Sequence, residues 1–163
     1  MIFKQPAKAS CHYVQSGINF LSMTPTEKAL AFLPHGPEFR FIDRVTELDP
    51  GQHGRAEYTL RPTEQFLRGH FPGAPLMPGV LVVEACAQLA GVIAQSDPTR
   101  APLQDLKLTA IRSAKILGAV LPGETLQLEA KVTGRMAGLV QASVSARVGS
   151  RLVLQGEVTL SGK

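Results

Sequence analysis

A single histidine and a single glutamate stand close together in one short motif, and this pair is the strongest chemical signal in the chain. Residues Arg68–Gln88 read RGHFPGAPLMPGVLVVEACAQ, so that a Gly/Pro-rich loop delivers His70 to the start of an apolar segment that carries Glu84. A base and a lone carboxylic acid beside a helix N-terminus suit proton transfer next to a carbonyl group. The arrangement indicates an enzyme rather than a binding module.

The apolar segment predicts a buried helix. Pro78 suits the first helical position, where its missing N–H is not needed. From Val80 to Ala94 the only polar side chains are Glu84 and Gln88, and a helix that is apolar on every side is either buried or membrane-spanning. The uninterrupted apolar runs are far shorter than the roughly 20 residues needed to cross a bilayer. Burial is therefore the prediction.

Burial leaves two interpretations of Glu84. It disfavours the ionised carboxylate, so the carboxyl group can keep its proton near neutral pH and act as a general acid. Gln88, one turn later on the same face, can hydrogen-bond Glu84 and fix its rotamer. On the composition of the helix alone, a glutamate held by a structural partner is an equally good interpretation.

The loop around His70 favours the catalytic interpretation. A histidine alone in a glycine-flanked loop is more often a surface or capping residue. Here interleaved glycines and prolines between Gly69 and Gly79 restrict the loop to a narrow set of shapes. Gly79 can present its backbone N–H at the positive end of the helix dipole, where it would stabilise an oxyanion. A base, an acid and an oxyanion donor in one motif point to a reaction.

The elements that must position these groups are predicted by the rest of the sequence. The 163 residues, 44% of them hydrophobic, fit one domain with a sizeable core. A capping box at Thr24–Glu27 predicts a short helix that ends before Pro34. Apolar and polar residues alternate over 56–60, 126–133, 140–148 and 152–160, which predicts an antiparallel sheet with one buried face. Turns are expected at Gly149-Ser150 and, as a longer connection, at Gly134–Gly138.

Three blocks of the sequence resemble one enzyme family. The motif GHFPGxPxMPGVLxxEAxAQ is similar to the active-site signature of the FabZ-type 3-hydroxyacyl-acyl-carrier-protein dehydratases, and Leu33–Val45 and Ala114–Leu126 resemble the blocks on either side of it. The resemblance runs from near Met23 to the C-terminus in the order of the family. It implies an α+β hot-dog fold, in which a curved antiparallel sheet wraps a long central helix, for a domain spanning residues 23–163.

The resemblance also implies roles for individual residues. His70 and Glu84 match the catalytic pair of the family, and Gly79 matches the residue whose amide contacts the thioester carbonyl. Phe71, Gln88 and Ile116 are expected to bind substrate. In the family the histidine of one subunit works with the acid of its dimer partner, so a homodimer with shared sites is expected, and a trimer of dimers above it.

The identity of the acid also bears on the reaction. A similar bifunctional family, which also isomerises the new double bond, carries aspartate where this chain has Glu84. The glutamate therefore favours plain dehydration.

Departures from the family pattern concern the acyl tunnel. Gly36–Arg40 replaces an Arg-Tyr-Pro-Phe-Leu-like run, and Leu67 and Ile116 stand where aromatic residues are usual. Less aromatic bulk widens a hydrophobic pocket, and a charged Arg40 near it disfavours long alkyl chains unless the side chain points outward. An acyl preference unlike that of a general fatty-acid dehydratase is expected, in favour of short or functionalised groups.

The charge and composition of the chain restrict the kinds of partner that it is expected to bind. The formal net charge is +4, but the basic residues are dispersed and aromatics make up only 6% of the chain, which does not fit a nucleic-acid binder. An acidic carrier protein fits better, because complementary charge speeds encounter. The candidate carrier contacts beyond the helix are Arg100, Lys107, Arg112 and Lys115, and the alternative is a merely solvated basic surface.

No cofactor is expected, since a thioester already activates the proton on its α-carbon and the substrate would arrive on the phosphopantetheine arm of the carrier. Cys11 and Cys86 form no metal-ligand spacing, and the four histidines form no i,i+4 pair. Residues 1–22 lack the apolar core of a secretory signal. They are expected to be a partly disordered extension of a cytoplasmic protein with no membrane association.

Two other functions remain open at this point. A hot-dog acyl thioesterase would aim a carboxylate at water or at the thioester carbon and would not need the His-Phe-Pro-Gly loop. A non-catalytic acyl-binding or regulatory subunit would not need to keep both His70 and Glu84.

Overall fold

The structure is a computed structural model that describes residues 23–163; the extension predicted for residues 1–22 lies outside the described residues. The helices are α1 (Pro25–Leu30) and α2 (Gly79–Gln95), and short 3₁₀ turns cover Pro37–Phe39 and Gln65–Arg68. The strands are β1 (Arg44–Asp49), β2 (His53–Thr59), β3 (Lys107–Ile116), β4 (Thr125–Met136), β5 (Leu139–Val148) and β6 (Arg151–Ser161).

The strands form one six-stranded antiparallel sheet in the order β1-β2-β4-β5-β6-β3. Helix α2 packs against this sheet and is buried almost throughout. The buried face of the sheet is built from the predicted alternation, as in β4, where Leu126, Leu128 and Ala130 are at most 1% exposed. The α+β hot-dog prediction of a central helix wrapped by an antiparallel sheet is confirmed. No helix within residues 23–163 is long and apolar enough to cross a membrane.

Most local predictions are confirmed, and two need correction. The capping box of α1 is present in both directions, and Gly149 has a positive φ of 56° in the predicted hairpin between β5 and β6. The turn expected over Gly134–Gly138 is wrong: β4 and β5 pair up to Met136 opposite Leu139, and Ala137 takes the positive φ of 51° that a two-residue turn requires. Pro78 is the N-cap rather than the first residue of α2.

Two strands carry no alternation and were not predicted. β1 and β3 are the edges of the sheet. Every residue of β3 except Leu108 is exposed. The strand pairs only with β6, and it is covered only where Leu108 packs against the core and Ile116 against the start of α2. A long, exposed edge strand presents unpaired backbone groups along its outer side.

Candidate active site

The loop that carries His70 is held at both ends. Leu67 is buried before it, and after it Met77 is buried and donates its N–H to the Val120 carbonyl at 2.9 Å. Within the loop, the Leu76 N–H donates to the His70 carbonyl at 3.0 Å. The histidine is therefore presented by a folded loop between two core anchors.

The ring of His70 is oriented as a base. Nδ1 lies 3.1 Å from the Leu76 carbonyl, and because a carbonyl can only accept, Nδ1 must carry the hydrogen. This leaves the lone pair on Nε2, which has no partner among the described residues. Phe71 stacks on the ring with 4.1 Å between centroids. The geometry supplies a fixed tautomer with Nε2 ready to accept a proton.

Glu84 lies on the second turn of α2, with its side chain 19% exposed. Gln88, only 3% exposed, donates to Glu84 Oε1 at 3.1 Å, which is the contact expected from the i,i+4 spacing. The amide of Gln88 also accepts from the Phe41 N–H at 2.9 Å and donates to the Phe39 carbonyl at 2.9 Å. Since both backbone groups have fixed polarity, the orientation of the Gln88 amide is determined.

His35 was missed by sequence reasoning. Its Nε2 lies 3.3 Å from Glu84 Oε1, so that the loop between Leu33 and Arg40 reaches the carboxyl group from outside the helix. The residue lies within the block that resembles the family, but no spacing rule connects it to Glu84, because the contact exists only once the loop has folded over α2.

Gly79 begins α2, and its N–H finds no acceptor within the described residues, as expected for the first turn of a helix. A Cβ at this position would lie 2.4 Å from Ile116 Cδ1, so the absence of a side chain allows Ile116 to pack onto the helix start. Ile116 and Phe71 are 58% and 54% exposed. Both side chains are therefore largely open to solvent.

Two of the proposed tunnel positions make contacts within the protein. Leu67 is 5% exposed within the main core, and the Arg40 guanidinium donates to the His35 carbonyl at 3.3 Å. That these residues line an acyl pocket stays a prediction. Of the departures that were expected to alter selectivity, Ile116 packs on Gly79, and Phe39 accepts a hydrogen bond from Gln88 through its carbonyl.

A groove of about 1230 Å³ runs along α2 beside Glu84. One wall is formed by Phe32–His35 and Phe39, and the other by Leu103–Leu108 at the start of β3. His70 does not line it, and no hydrogen bond or ion pair joins His70 to Glu84. His70 and Glu84 of one chain are therefore not in direct polar contact in the described part of the chain.

The candidate carrier contacts are all exposed. Arg100 forms an ion pair with Asp97 at 3.7 Å, whereas Lys107, Arg112 and Lys115 project from β3. The last two stand near the end of the strand that approaches Gly79.

Cys86 is fully buried in α2. Burial raises the pKa of its thiol to about 12, which fits the expected role of a core residue. Within residues 23–163, no three His, Cys, Asp or Glu side chains are placed to hold a metal ion.

Comparison with known proteins identifies the family of the chain. A family profile described as a FabA-like domain matches residues 33–157. Two relatives named 3-hydroxyacyl-[acyl-carrier-protein] dehydratase FabZ are similar over most of their length. The protein of Ruminiclostridium cellulolyticum is 36% identical, with 83% of this chain and 95% of the relative covered. That of Chloroflexus aggregans is 35% identical, with 83% and 94% covered.

Solved structures support the fold. The dehydratase heterocomplex ApeI:P from Xenorhabdus doucetiae superposes with a TM-score of 0.71 at 16% identity, covering 83% of this chain and 90% of the other. Zebra fish thioesterase superfamily member 2 superposes with a TM-score of 0.62 at 16% identity, covering 83% and 92%. At such identities the likeness extends to the fold alone, so it does not separate dehydratase from thioesterase.

Proposed function

The chain belongs to the FabA-like family, among relatives that are FabZ dehydratases, and from this premise we propose that it removes water from 3-hydroxyacyl groups carried on acyl carrier protein. The product is a trans-2-enoyl thioester, which makes the enzyme a lyase of acyl-chain biosynthesis. The observation that carries the proposal is the division of proton roles: His70 has a free Nε2 lone pair, while Glu84 accepts a hydrogen bond from Gln88 at Oε1 and has none at Oε2 among the described residues.

The chemistry follows from these two groups. His70 Nε2 takes a proton from the carbon between the thioester and the hydroxyl-bearing carbon, and the Gly79 N–H stabilises the negative charge that develops on the thioester oxygen. Glu84 gives its proton to the departing hydroxyl, which leaves as water while the double bond forms. Each general acid or base typically contributes about 10²–10⁴-fold to the rate. The thioester supplies the activation of the α-proton, so the scheme uses no cofactor.

A homodimer would complete the site. The groove beside Glu84 lies at the start of β3, whereas the His70 loop lies near its end, where Ile116 packs on Gly79. If the exposed outer edges of two β3 strands pair antiparallel, the start of one strand meets the end of the other. The Glu84 groove of one chain would then face the His70 loop of its partner. A trimer of such dimers is a further level of assembly in the proposal. It does not depend on the pairing of the β3 edges.

Turnover tests the proposed function directly. The purified protein would be incubated with a trans-2-enoyl thioester on acyl carrier protein, and hydration to the 3-hydroxy thioester is the expected product. Release of the free acid would instead show a thioesterase, and binding without turnover would show a regulatory subunit. His70→Ala and Glu84→Gln should each abolish hydration while the circular dichroism spectrum and the oligomeric state stay unchanged.

A mixed dimer tests the shared site. Chains carrying His70→Ala and Glu84→Gln, purified together by two different tags, should form one intact site and one doubly defective site in each mixed dimer. Activity should return to about half that of the parent dimer, because the two sites are equivalent by symmetry. No recovery would mean that each site is built from one chain, and a monomer in light scattering at micromolar concentration would contradict the dimer itself.

A further inference from the structure

The groove beside Glu84 follows one face of α2. Its floor is made by residues of the helix that recur at helical spacing, which are Glu84, Ala87, Gln88, Gly91 and Gln95. At a rise of about 1.5 Å per residue, Gly91 lies about 10 Å along the helix from Glu84, and Gln95 about 16 Å. The groove therefore leads away from the proposed acid towards the end of α2.

Gly91 is a glycine that the fold of one chain does not require. It lies in the interior of α2, where glycine destabilises a helix relative to alanine, and its backbone is not in the left-handed region. Within the described chain, a Cβ at this position would meet Leu106 Cδ2 and Leu160 Cδ1, each at 3.7 Å, which is ordinary van der Waals contact. Alanine would therefore fit, and the missing side chain leaves open a space that belongs to the groove.

The groove presents few free polar groups beside this glycine. The amide of Gln88, one turn before it, is used within the chain. That of Gln95, one turn after it, donates to the Leu103 carbonyl at 2.7 Å and accepts from the Leu103 N–H at 2.9 Å. The charged side chains of the wall, Asp105 and Lys107, are exposed. An apolar occupant would therefore bury neither amide without its partners, which is the condition for burial at low cost.

From this arrangement we infer that the groove takes the acyl chain of the substrate and that Gly91 sets the chain length that it admits. The inference rests on the proposed function, in which Glu84 protonates the hydroxyl group, so that the remainder of the acyl chain extends from the acid. With C–C bonds of about 1.5 Å at angles of about 111°, an extended chain advances about 1.25 Å per carbon. It passes Gly91 about eight carbons beyond the hydroxyl-bearing carbon. A methyl group added at Gly91 therefore obstructs long chains and not short ones.

Binding of unreactive ligands tests this without turnover. Hexanoyl and tetradecanoyl groups are joined to the phosphopantetheine arm of acyl carrier protein through an amide, which neither a dehydratase nor a thioesterase converts. The full-length parent should bind the tetradecanoyl carrier more tightly, because each buried methylene contributes up to about fourfold in affinity. Gly91→Ala should weaken binding of the tetradecanoyl carrier about tenfold and leave that of the hexanoyl carrier unchanged. Gly91→Leu should abolish the preference for the longer chain.

Gly134→Ala is the matched control. It adds the same methyl group on β4, outside the groove, where the atom that faces it is Gln141 Oε1 at 3.4 Å, and it should leave both affinities unchanged. Urea unfolding and light scattering at one fixed protein concentration test the cost of the glycine itself. Gly91→Ala should raise the midpoint of unfolding, since alanine favours the helix, while the oligomeric state stays that of the parent.

Equal weakening for both chain lengths in Gly91→Ala, or a parent that binds the hexanoyl carrier as tightly as the tetradecanoyl carrier, overturns the inference. A Gly91→Ala variant that is less stable or dissociates also overturns it, because the space would then serve packing against a partner subunit. Hydration of enoyl thioesters by the parent, measured beside binding, separates the two proposals. Hydration without the length-dependent effect of Gly91→Ala keeps the proposed function and rejects this inference, whereas the length-dependent effect without hydration rejects the proposed function and keeps the acyl groove.

Discussion

Replacing Gln88 by leucine tests whether one buried amide supports both the fold and the acid. Gln88 is 3% exposed and makes three hydrogen bonds, to the Phe41 N–H, the Phe39 carbonyl and Glu84. Leucine has a similar volume, so packing is largely retained while all three bonds are lost. The variant isolates the hydrogen bonds from the shape of the side chain.

The magnitude follows from which partners remain buried. Phe41 is 2% exposed, so its N–H loses its acceptor in a dry environment, at a cost of about 1–3 kcal/mol. Phe39 is 47% exposed, and its carbonyl can accept from solvent at little cost. Glu84 keeps its ion-pair contact with His35 but loses the hydrogen bond from Gln88, for about 1 kcal/mol more. The expected loss in the free energy of unfolding is about 2–4 kcal/mol, together with a lower kcat.

Urea unfolding followed by circular dichroism, at one fixed protein concentration, measures this loss as a shift in midpoint at constant slope. Tyr58→Phe is the control, because Tyr58 is buried and donates one hydrogen bond to Glu64 at 2.9 Å, and phenylalanine keeps the edge contact of its ring with Phe41. It should cost about 1 kcal/mol and leave kcat unchanged. A loss below about 0.5 kcal/mol for Gln88→Leu, or a normal kcat, would refute the reasoning.

Three further outcomes are expected. Gly79→Ala should impair both folding and hydration, because the new Cβ would lie 2.4 Å from Ile116 Cδ1. Adding Ile116→Ala should restore much of both. If the second substitution rescues neither, the defect lies in the backbone and not in this contact. In a Cys11→Ser background, Cys86 should resist thiol reagents at pH 8 until the protein is unfolded, since burial raises the pKa of its thiol from 9.0 to about 12. The free energy of unfolding should fall as the pH rises above 9, because there only the thiol of the unfolded chain ionises. Lys115→Glu should raise KM for a carrier-linked substrate but not for a short thioester without carrier, and equal effects on both would exclude carrier contact.

The elements that could be predicted from the sequence are those whose own pattern of apolar and polar residues reflects their burial. α2 was evident because only Glu84 and Gln88 interrupt its apolar run, and β4 and β5 because alternating burial leaves alternating residue types. β3 left no such signal, because every residue in it except Leu108 is exposed. Its role in the sheet depends on pairing with β6, which no pattern within the strand encodes.

Prediction of the site from the sequence was limited in the same way, to residues that a local pattern connects. His70 and Glu84 were identified from their types and spacing, and the Gln88 contact followed from helix geometry. His35 could not be connected to Glu84, since that contact depends on how a loop closes over the helix. Arg40 and Leu67 were assigned to an acyl pocket from aligned position alone, and that assignment stays a prediction; in the structure Arg40 contacts the His35 carbonyl and Leu67 packs in the core.

The geometry of α2 bears on the proposal that the site is shared between two chains. The N–H of Gly79, in the first turn, points out of the end of the helix along its axis. The side chain of Glu84 leaves the helix sideways, about 7.5 Å further along at a rise of about 1.5 Å per residue, and Gln88, only about 40° from it around the helix, lies on the same face. The oxyanion donor and the acid of one helix therefore open in different directions, which supports the proposed pairing of Gly79 and His70 of one chain with Glu84 of its partner.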